Sequence, residues 1–223
     1  MIEENLHYMR KEYSPIPLDK EQMEKDPIAQ FANWFEDALK YETLEANAMV
    51  VATSNRQGEP SVRYVLLKSY SWDGFTFFTN YKSKKGVDIE QNNKVTLLFF
   101  WPNTMRQIRI KGVATKTSPQ ESDLYFNSRP FASQASSALS KQSEILKDKD
   151  QFDSSVNQLA TSNVKIKRPI NWGGYLIKPH SFEFWQGGVG RSHDRFLYTQ
   201  QATPKSKAQS QKNNNWIINR LYP

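Results

Sequence analysis

Between Trp185 and Phe196 the chain reads WQGGVGRSHDRF, which sets Arg191, His193 and Arg195 two residues apart behind a glycine-rich bend. On an extended segment residues i, i+2 and i+4 share one face, so two guanidiniums and an imidazole would project together, with Ser192, Asp194 and Phe196 opposite. Like charges at that spacing repel, and burying such a row without an anion would be costly. The chemistry to expect is therefore the binding of an anionic ligand.

Other stretches carry related signals. In FNSRPFAS, Tyr125 and Arg129 are four apart on one helical face, and Ser133 is expected just beyond that helix, after Pro130. A phenol, a guanidinium and a hydroxyl that converge suit a phosphomonoester, each charge-assisted bond being worth roughly 1.5–3 kcal/mol. A core tyrosine with a surface arginine is the plainer alternative. In SVRYVLLK, Arg63 and Lys68 have opposite parity, so they either flank a strand or divide two anion sites. TNYKSKKG gathers Thr79, Ser83, Lys84 and Lys85 at a helix start, where free backbone N–H groups favour an anion, although such starts are common without ligands. MRQIRIKG alternates, with Gln107, Arg109 and Lys111 on one face and Ile108 and Ile110 on the other, as a solvated sheet face also would.

Several chemistries are excluded. The three histidines, His7, His180 and His193, have no ligand spacing, and the chain has no cysteine, so neither a metal site nor a thiol nucleophile is expected. Nucleophile-elbow, dinucleotide-fingerprint and phosphate-loop patterns are absent. What remains is a polar site with at least two anion subsites and no evident protein nucleophile, so a bound cofactor would have to carry any reaction.

The elements that must position these groups follow from patterning. The length of 223 residues fits one domain of generous size. An arm over residues 1–20 precedes a single domain over 21–223. Asp26 as N-cap, Pro27 at the first position and apolar residues at Ile28, Phe31, Trp34, Phe35 and Leu39 predict a helix. Five strand-like runs follow, AMVVAT, SVRYVLLK, GFTFFTN, VTLLFFW and RQIRIKGVAT, at the hairpin spacing of an antiparallel sheet that curls into a barrel. SKKGVDIEQNN reads as a short helix capped by Ser83, and SPQESDLYFNSR as a helix with a Ser118–Glu121 capping box. The stretch to about residue 165 is partly helical around FDSSVNQLA. Strand signals return in WGGYLIKP, SFEFWQG, RSHDRFLY and WIINRLYP, with a mobile loop expected near 199–215.

Composition narrows the partners. The net charge of +7 admits a polyanion, but the basic residues are interleaved with 23 acids rather than gathered on one stripe, so no nucleic acid is expected. The start, MIEENLHYMRKEY, is charged from its third residue and is not read as a secretory signal. The longest apolar run, VTLLFFW, is far short of the roughly 20 residues that span a bilayer. A cytoplasmic protein without a membrane partner is the expectation.

The blocks RYVLLK, RQIRIKG, ESDLYFNSRP, KQS, WGGY, EFWQGG, RSHDRFLY and the terminal RLYP stand in the order and approximate spacing of the pyridoxamine 5'-phosphate oxidase family, which the chain resembles from about residue 8 onward. The resemblance implies a mainly β, α+β fold with flanking helices, an antiparallel split barrel of Greek-key type that binds FMN. It further implies a homodimer with FMN at the subunit interface, and oxidation of pyridoxamine or pyridoxine 5'-phosphate to pyridoxal 5'-phosphate by O2 with release of H2O2. The family's FMN contacts would fall on Arg63, Val65, Leu66, Lys68, Phe78, Thr79, Lys84, Lys85, Gln107, Gln142, Ser143, Trp185 and Arg195. Its substrate contacts would fall on Lys68, Tyr125, Arg129, Ser133, Arg191 and His193, the last two as catalytic residues, with Arg10 and Tyr13 of the arm covering the site.

Four positions depart from the usual pattern: Phe78 stands for a tyrosine, Lys84 for an arginine, Ser192 for a leucine and Phe131 for an arginine. None removes an implied substrate contact. A related split-barrel flavin reductase would lack the Tyr125, Arg129, Ser133 set and the Arg191, His193 pair, whereas a non-catalytic flavin or pyridoxal phosphate carrier is separated only by an assay.

Overall fold

The computed structural model describes residues 17–162, 164–200 and 216–223. The expected contacts Arg10 and Tyr13, the arm up to residue 16 and the loop residues 201–215 lie outside the described residues. Strands are hydrogen-bonded in the order β2-β1-β5-β6-β7-β4-β3, with β8 on β7 and β9 on β8. They are β1 (Ala48–Ser54), β2 (Pro60–Leu66), β3 (Ser69–Ser71), β4 (Gly74–Asn80), β5 (Lys94–Trp101), β6 (Arg106–Lys116), β7 (Trp172–Gln186), β8 (Asp194–Gln200) and β9 (Trp216–Leu221). The helices are α1 (Pro27–Tyr41), α2 (Lys84–Gln91), α3 (Pro119–Ser128), α4 (Phe131–Leu139) and α5 (Lys149–Thr161).

The chain forms two compact units. One comprises residues 47–97 and 111–179, and the other the described residues up to 46 together with 98–110 and 180–223. In the first, β1 and β2 pair antiparallel from Ala48 opposite Leu66 to Ser54 opposite Pro60. Alternation along β1 buries Met49, Val51 and Thr53. Strand β4 pairs with the start of β7, Phe75 opposite Ile177 and Asn80 opposite Trp172, and is buried on nearly every residue. Its helices close over Phe126, Ala135, Ile166 and Trp172. Ser118 accepts from the Glu121 N–H and Ser83 from the Gly86 N–H, so the two expected N-caps form, while the reciprocal arm of the Ser118–Glu121 box is not seen.

In the second unit, α1 begins as predicted, Asp26 accepting from the Ile28 N–H with Pro27 in the first turn. It buries Phe31 and Trp34 against Phe99, Trp101 and Phe184, the Trp34 and Phe184 rings meeting edge to face at 5.2 Å. Strands β8 and β9 pair from Arg195 opposite Leu221 to Gln200 opposite Trp216.

Three expectations fail for physical reasons. WGGYLIKP and SFEFWQG are one strand, β7. Its first half pairs with β4 and its second with β8. The loose stretch after α3 holds a further helix, α4, which starts immediately after Pro130, so Ser133 lies on a helix rather than beyond one. Finally, RSHDRFLY is not extended throughout. Residues Val189–Arg191 form a 3-10 turn with Gly190 at φ 59° and Arg191 at φ 64°, and β8 begins only at Asp194. The shared face for Arg191, His193 and Arg195 is therefore lost. A Cβ on Gly188 would lie 1.8 Å from the Ser192 carbonyl oxygen, so the bend requires glycine there. The short strand β3 was also not anticipated.

Candidate functional site

In the unit that carries β1 to β4, a cavity of about 530 Å³ opens between the end of β2, β4, and helices α3 and α4. Val65, Leu66, Lys68, Phe78, Thr79, Lys85, Tyr125, Arg129, Ser133 and Gln142, all expected from the resemblance, line it. Lys68 lies past the end of β2, where its N–H donates to the Thr76 carbonyl at 2.9 Å. The lining includes three cations, Lys68, Lys85 and Arg129, and no carboxylate. Among the described residues none of the three makes an ion pair.

At one end Lys85 is buried, and its Nζ donates to Thr79 Oγ1 at 3.1 Å, Ser83 Oγ at 3.3 Å and Gln142 Oε1 at 3.3 Å. Burial, reinforced by the charge of Arg63, lowers its pKa to about 8. An ammonium so placed is uncompensated, and an anion in the cavity would restore its charge. The tripeptide KQS, silent in sequence, supplies this end. Ser143 sits at φ 78° and its Oγ accepts from the Lys84 N–H at 3.1 Å.

At the other end Arg129, the C-cap of α3, lies 4.8 Å from the Trp172 ring and donates from Nη1 to Ser137 Oγ at 2.8 Å. Burial lowers its pKa, with the neighbouring Tyr125 acting in the opposite direction. Lys68 Nζ stands 6.0 Å from the Tyr125 ring centre. Between the ends runs an aromatic wall, Phe78 stacked on Tyr125 at 4.0 Å and on Trp172 at 5.6 Å. Ser133, Ser136, Ser137 and Ser140 share one face of the α4 segment and add hydroxyls. The arrangement fits two anionic groups joined by flat, apolar bodies.

Arg63 and Lys84 do not line the cavity. Arg63 donates to Val51 and Ser61 carbonyls, to Ser61 Oγ and, at 2.8 Å, to Thr53 Oγ1, and burial lowers its pKa against the opposing pull of Asp88. Lys84 reaches Asp88 at 2.5 Å.

The remaining expected residues belong to the other unit. Trp185 and His193 rings lie 4.7 Å apart, and His193 Nδ1 accepts from the Gly188 N–H at 3.0 Å. Its pKa is lowered by burial and by the charges of Arg191 and Arg195. Arg195 donates from Nε and Nη2 to Glu183 Oε1 at 3.0 and 2.9 Å, and Arg109 closes on the other oxygen of the same buried carboxylate. Gln107, next to Arg106 on β6, is half-buried.

Comparison with known proteins places this geometry. A family model described as pyridoxamine 5'-phosphate oxidase matches residues 35–163, and one described as the pyridoxine 5'-phosphate oxidase C-terminal dimerisation region matches 172–223. The chain belongs to the pyridoxamine 5'-phosphate oxidase family. It is 42% identical over 221 residues to the pyridoxine/pyridoxamine 5'-phosphate oxidase of Leptospira biflexa, covering 98% of this chain and 99% of that one. It is 46% identical over 198 residues to the protein of that name from Cytophaga hutchinsonii, covering 87% and 92%. The crystal structure of PhzG from Burkholderia lata, in complex with tetrahydrophenazine-1-carboxylic acid, superposes with a TM-score of 0.83 at 26% identity, covering 95% of this chain and 100% of that one. A pyridoxamine 5'-phosphate oxidase-related, FMN-binding protein from Nostoc punctiforme shares the fold, with a TM-score of 0.66 at 16% identity over 87% and 96% of the two chains. The fold is thus the mostly antiparallel split barrel with flanking helices of this oxidase family.

Sequence reasoning missed several residues around the oxidase-family cavity. Trp172 lay in a quoted block, but nothing local announces that its ring carries Arg129. Ser136, Ser137 and Ser140 became legible only with α4. Asp88 carries no local signal in the sequence, and only the fold shows it buried on α2. Among the described residues no group of acids and histidines could hold a metal, and no helix is long and apolar enough to cross a membrane.

Proposed function

We propose that the chain oxidises pyridoxamine 5'-phosphate and pyridoxine 5'-phosphate to pyridoxal 5'-phosphate, as an FMN-dependent homodimer with FMN at the subunit interface. With the amine, O2 and water are consumed, and H2O2 and ammonia are released; with the alcohol, O2 gives H2O2 alone. One observation carries this reading: a cavity lined by Lys68, Lys85 and Arg129 with an aromatic wall and no carboxylate, in a chain of this family.

The donor set fits FMN. Lys85, Thr79 and Gln142 offer a buried ammonium, a hydroxyl and an amide to its phosphate, and Val65 and Leu66 offer backbone along a ring system. When bound, FMN supplies the two-electron acceptor that no side chain here provides. Lys68, Tyr125, Arg129 and Ser133 bind the substrate phosphate, with Trp172 and Ser137 fixing the guanidinium of Arg129. In the other unit, the family resemblance would assign Trp185 and Arg195 to the cofactor and Arg191 and His193 to the substrate. Because His193 Nδ1 accepts from the Gly188 N–H and its pKa is lowered, the neutral ring carries its proton on Nε2 and serves as a hydrogen-bond donor to the substrate.

The test is spectroscopic. Anaerobic addition of pyridoxamine 5'-phosphate to the FMN-loaded protein should bleach the visible flavin absorbance, and admission of air should restore it with formation of H2O2. Absorbance that stays unchanged would mark a flavin carrier instead, and bleaching by a nicotinamide cofactor but not by pyridoxamine 5'-phosphate a flavin reductase.

A further inference from the structure

Asp88 stands behind the phosphate end of the cavity, one helical turn after Lys84 on α2, with its side chain only 1% exposed. Both of its oxygens are engaged. Oδ1 accepts from Lys84 Nζ at 2.5 Å, and Oδ2 accepts from Thr53 Oγ1 at 2.8 Å. Thr53 in turn accepts from Arg63 Nη1 at 2.8 Å, so a single hydroxyl links the carboxylate to Arg63. Burial works to raise the pKa of Asp88, but the hydrogen bonds from Lys84 and Thr53 and the charges of Lys84 and Arg63 outweigh it and hold the carboxyl below its usual range. A full negative charge therefore sits by two cations, Lys84 and Arg63, that do not line the cavity, whereas Lys85, the residue after Lys84, does.

We propose that Asp88 is an internal counter-anion that competes with the cofactor phosphate for the positive charge of Arg63 and Lys84, and thereby sets how tightly the protein holds FMN. The inference rests on the reading that Lys85, Thr79 and Gln142 receive that phosphate. A carboxylate behind the cluster and a phosphate dianion in front of it draw on the same cations and repel each other. With the cavity empty, Asp88 lowers the cost of holding Arg63 and Lys84 beside it. With the phosphate in place, the same charge opposes it. Removing the charge while keeping the shape should therefore destabilise the apoprotein and tighten FMN, a combination that loss of mere packing does not produce.

The experiment titrates full-length apoprotein with FMN and with riboflavin, which lacks the phosphate, following flavin fluorescence in the wild type, Asp88→Asn, Lys84→Gln and the double variant. Asp88→Asn should bind FMN about tenfold more tightly while its riboflavin affinity stays within about twofold of wild type. Its apoprotein should melt at a lower temperature. Lys84→Gln should weaken FMN binding more in the Asp88→Asn background than alone, because only there is the ammonium unneutralised. Equal or weaker FMN affinity in Asp88→Asn, or an equal gain for riboflavin, overturns the proposal. If Asp88→Asn does not fold, Lys84→Gln alone decides: an FMN loss under about threefold supports neutralisation by Asp88, and a larger one overturns it. A wild-type protein that binds riboflavin as well as FMN would instead refute the phosphate reading on which the inference is built.

Discussion

In one unit Lys68, Lys85 and Arg129 line a cavity with no carboxylate, whereas in the other Arg109 and Arg195 both close on the buried Glu183 and Arg106 on Asp37. Residues of the same type thus serve opposite ends. The second set is paired with acids within the chain, so its charges contribute to holding β6, β7 and β8 together. The first set is left uncompensated, which costs stability until an anion arrives; the lowered pKa of Lys85 records that cost. Where a basic residue binds a ligand is thus decided less by its own identity than by whether an acid shares its environment. Asp88 is the intermediate case, a buried acid that pairs with Lys84 outside the lining of the cavity.

This contrast can be broken by mutation. The largest effect is expected for Glu183→Ala, which strands two arginines at once and should lower the unfolding free energy by about 3 kcal/mol, read from denaturant midpoints at constant slope. A loss below about 1 kcal/mol would mean that the pairing at Glu183 is incidental. Next comes Arg129→Ala. It should raise KM for pyridoxamine 5'-phosphate by about 10- to 100-fold, the loss of one or two charge-assisted bonds, while leaving the unfolding midpoint nearly unchanged. An unaltered KM would remove Arg129 from the anion site.

The smallest effect sharpens the contrast most, because its sign is inverted. Lys85→Met should stabilise the apoprotein at pH 7 by about 1–2 kcal/mol while weakening FMN binding. The pH dependence follows from the same group. In the folded protein Lys85 loses its proton near pH 8, while the unfolded chain keeps it to about pH 10.5, so between these values the unfolded state binds more protons. The contribution of Lys85 to apoprotein stability therefore rises from pH 8 to pH 10.5, over the range in which FMN affinity falls. Both trends should vanish in Lys85→Met, and FMN titrations with thermal melts at several pH values would show whether they do.

How far the residues disclose themselves follows the range of the interactions involved. Helix starts were readable because a cap is local: Asp26 before Pro27, Ser83 before Lys84 and Ser118 before Pro119 each bond within three residues. Most strands were readable because alternation is local too. Helix α4 was not, since it has no side-chain cap and begins directly after the end of α3. The row Arg191, His193, Arg195 misled because the glycine-rich bend continues through Arg191, whose left-handed φ no periodicity reveals.

The sequence by itself determined the family, the antiparallel architecture, and most of the side chains that line the cavity, because these are written in ordered blocks and in local period. Only the tertiary structure decided which cations stay uncompensated, since charge neutralisation depends on partners remote in the chain. Thr53 meets Asp88 and Gln142 meets Lys85 across dozens of residues, and a charge loses its solvent only when the fold closes around it.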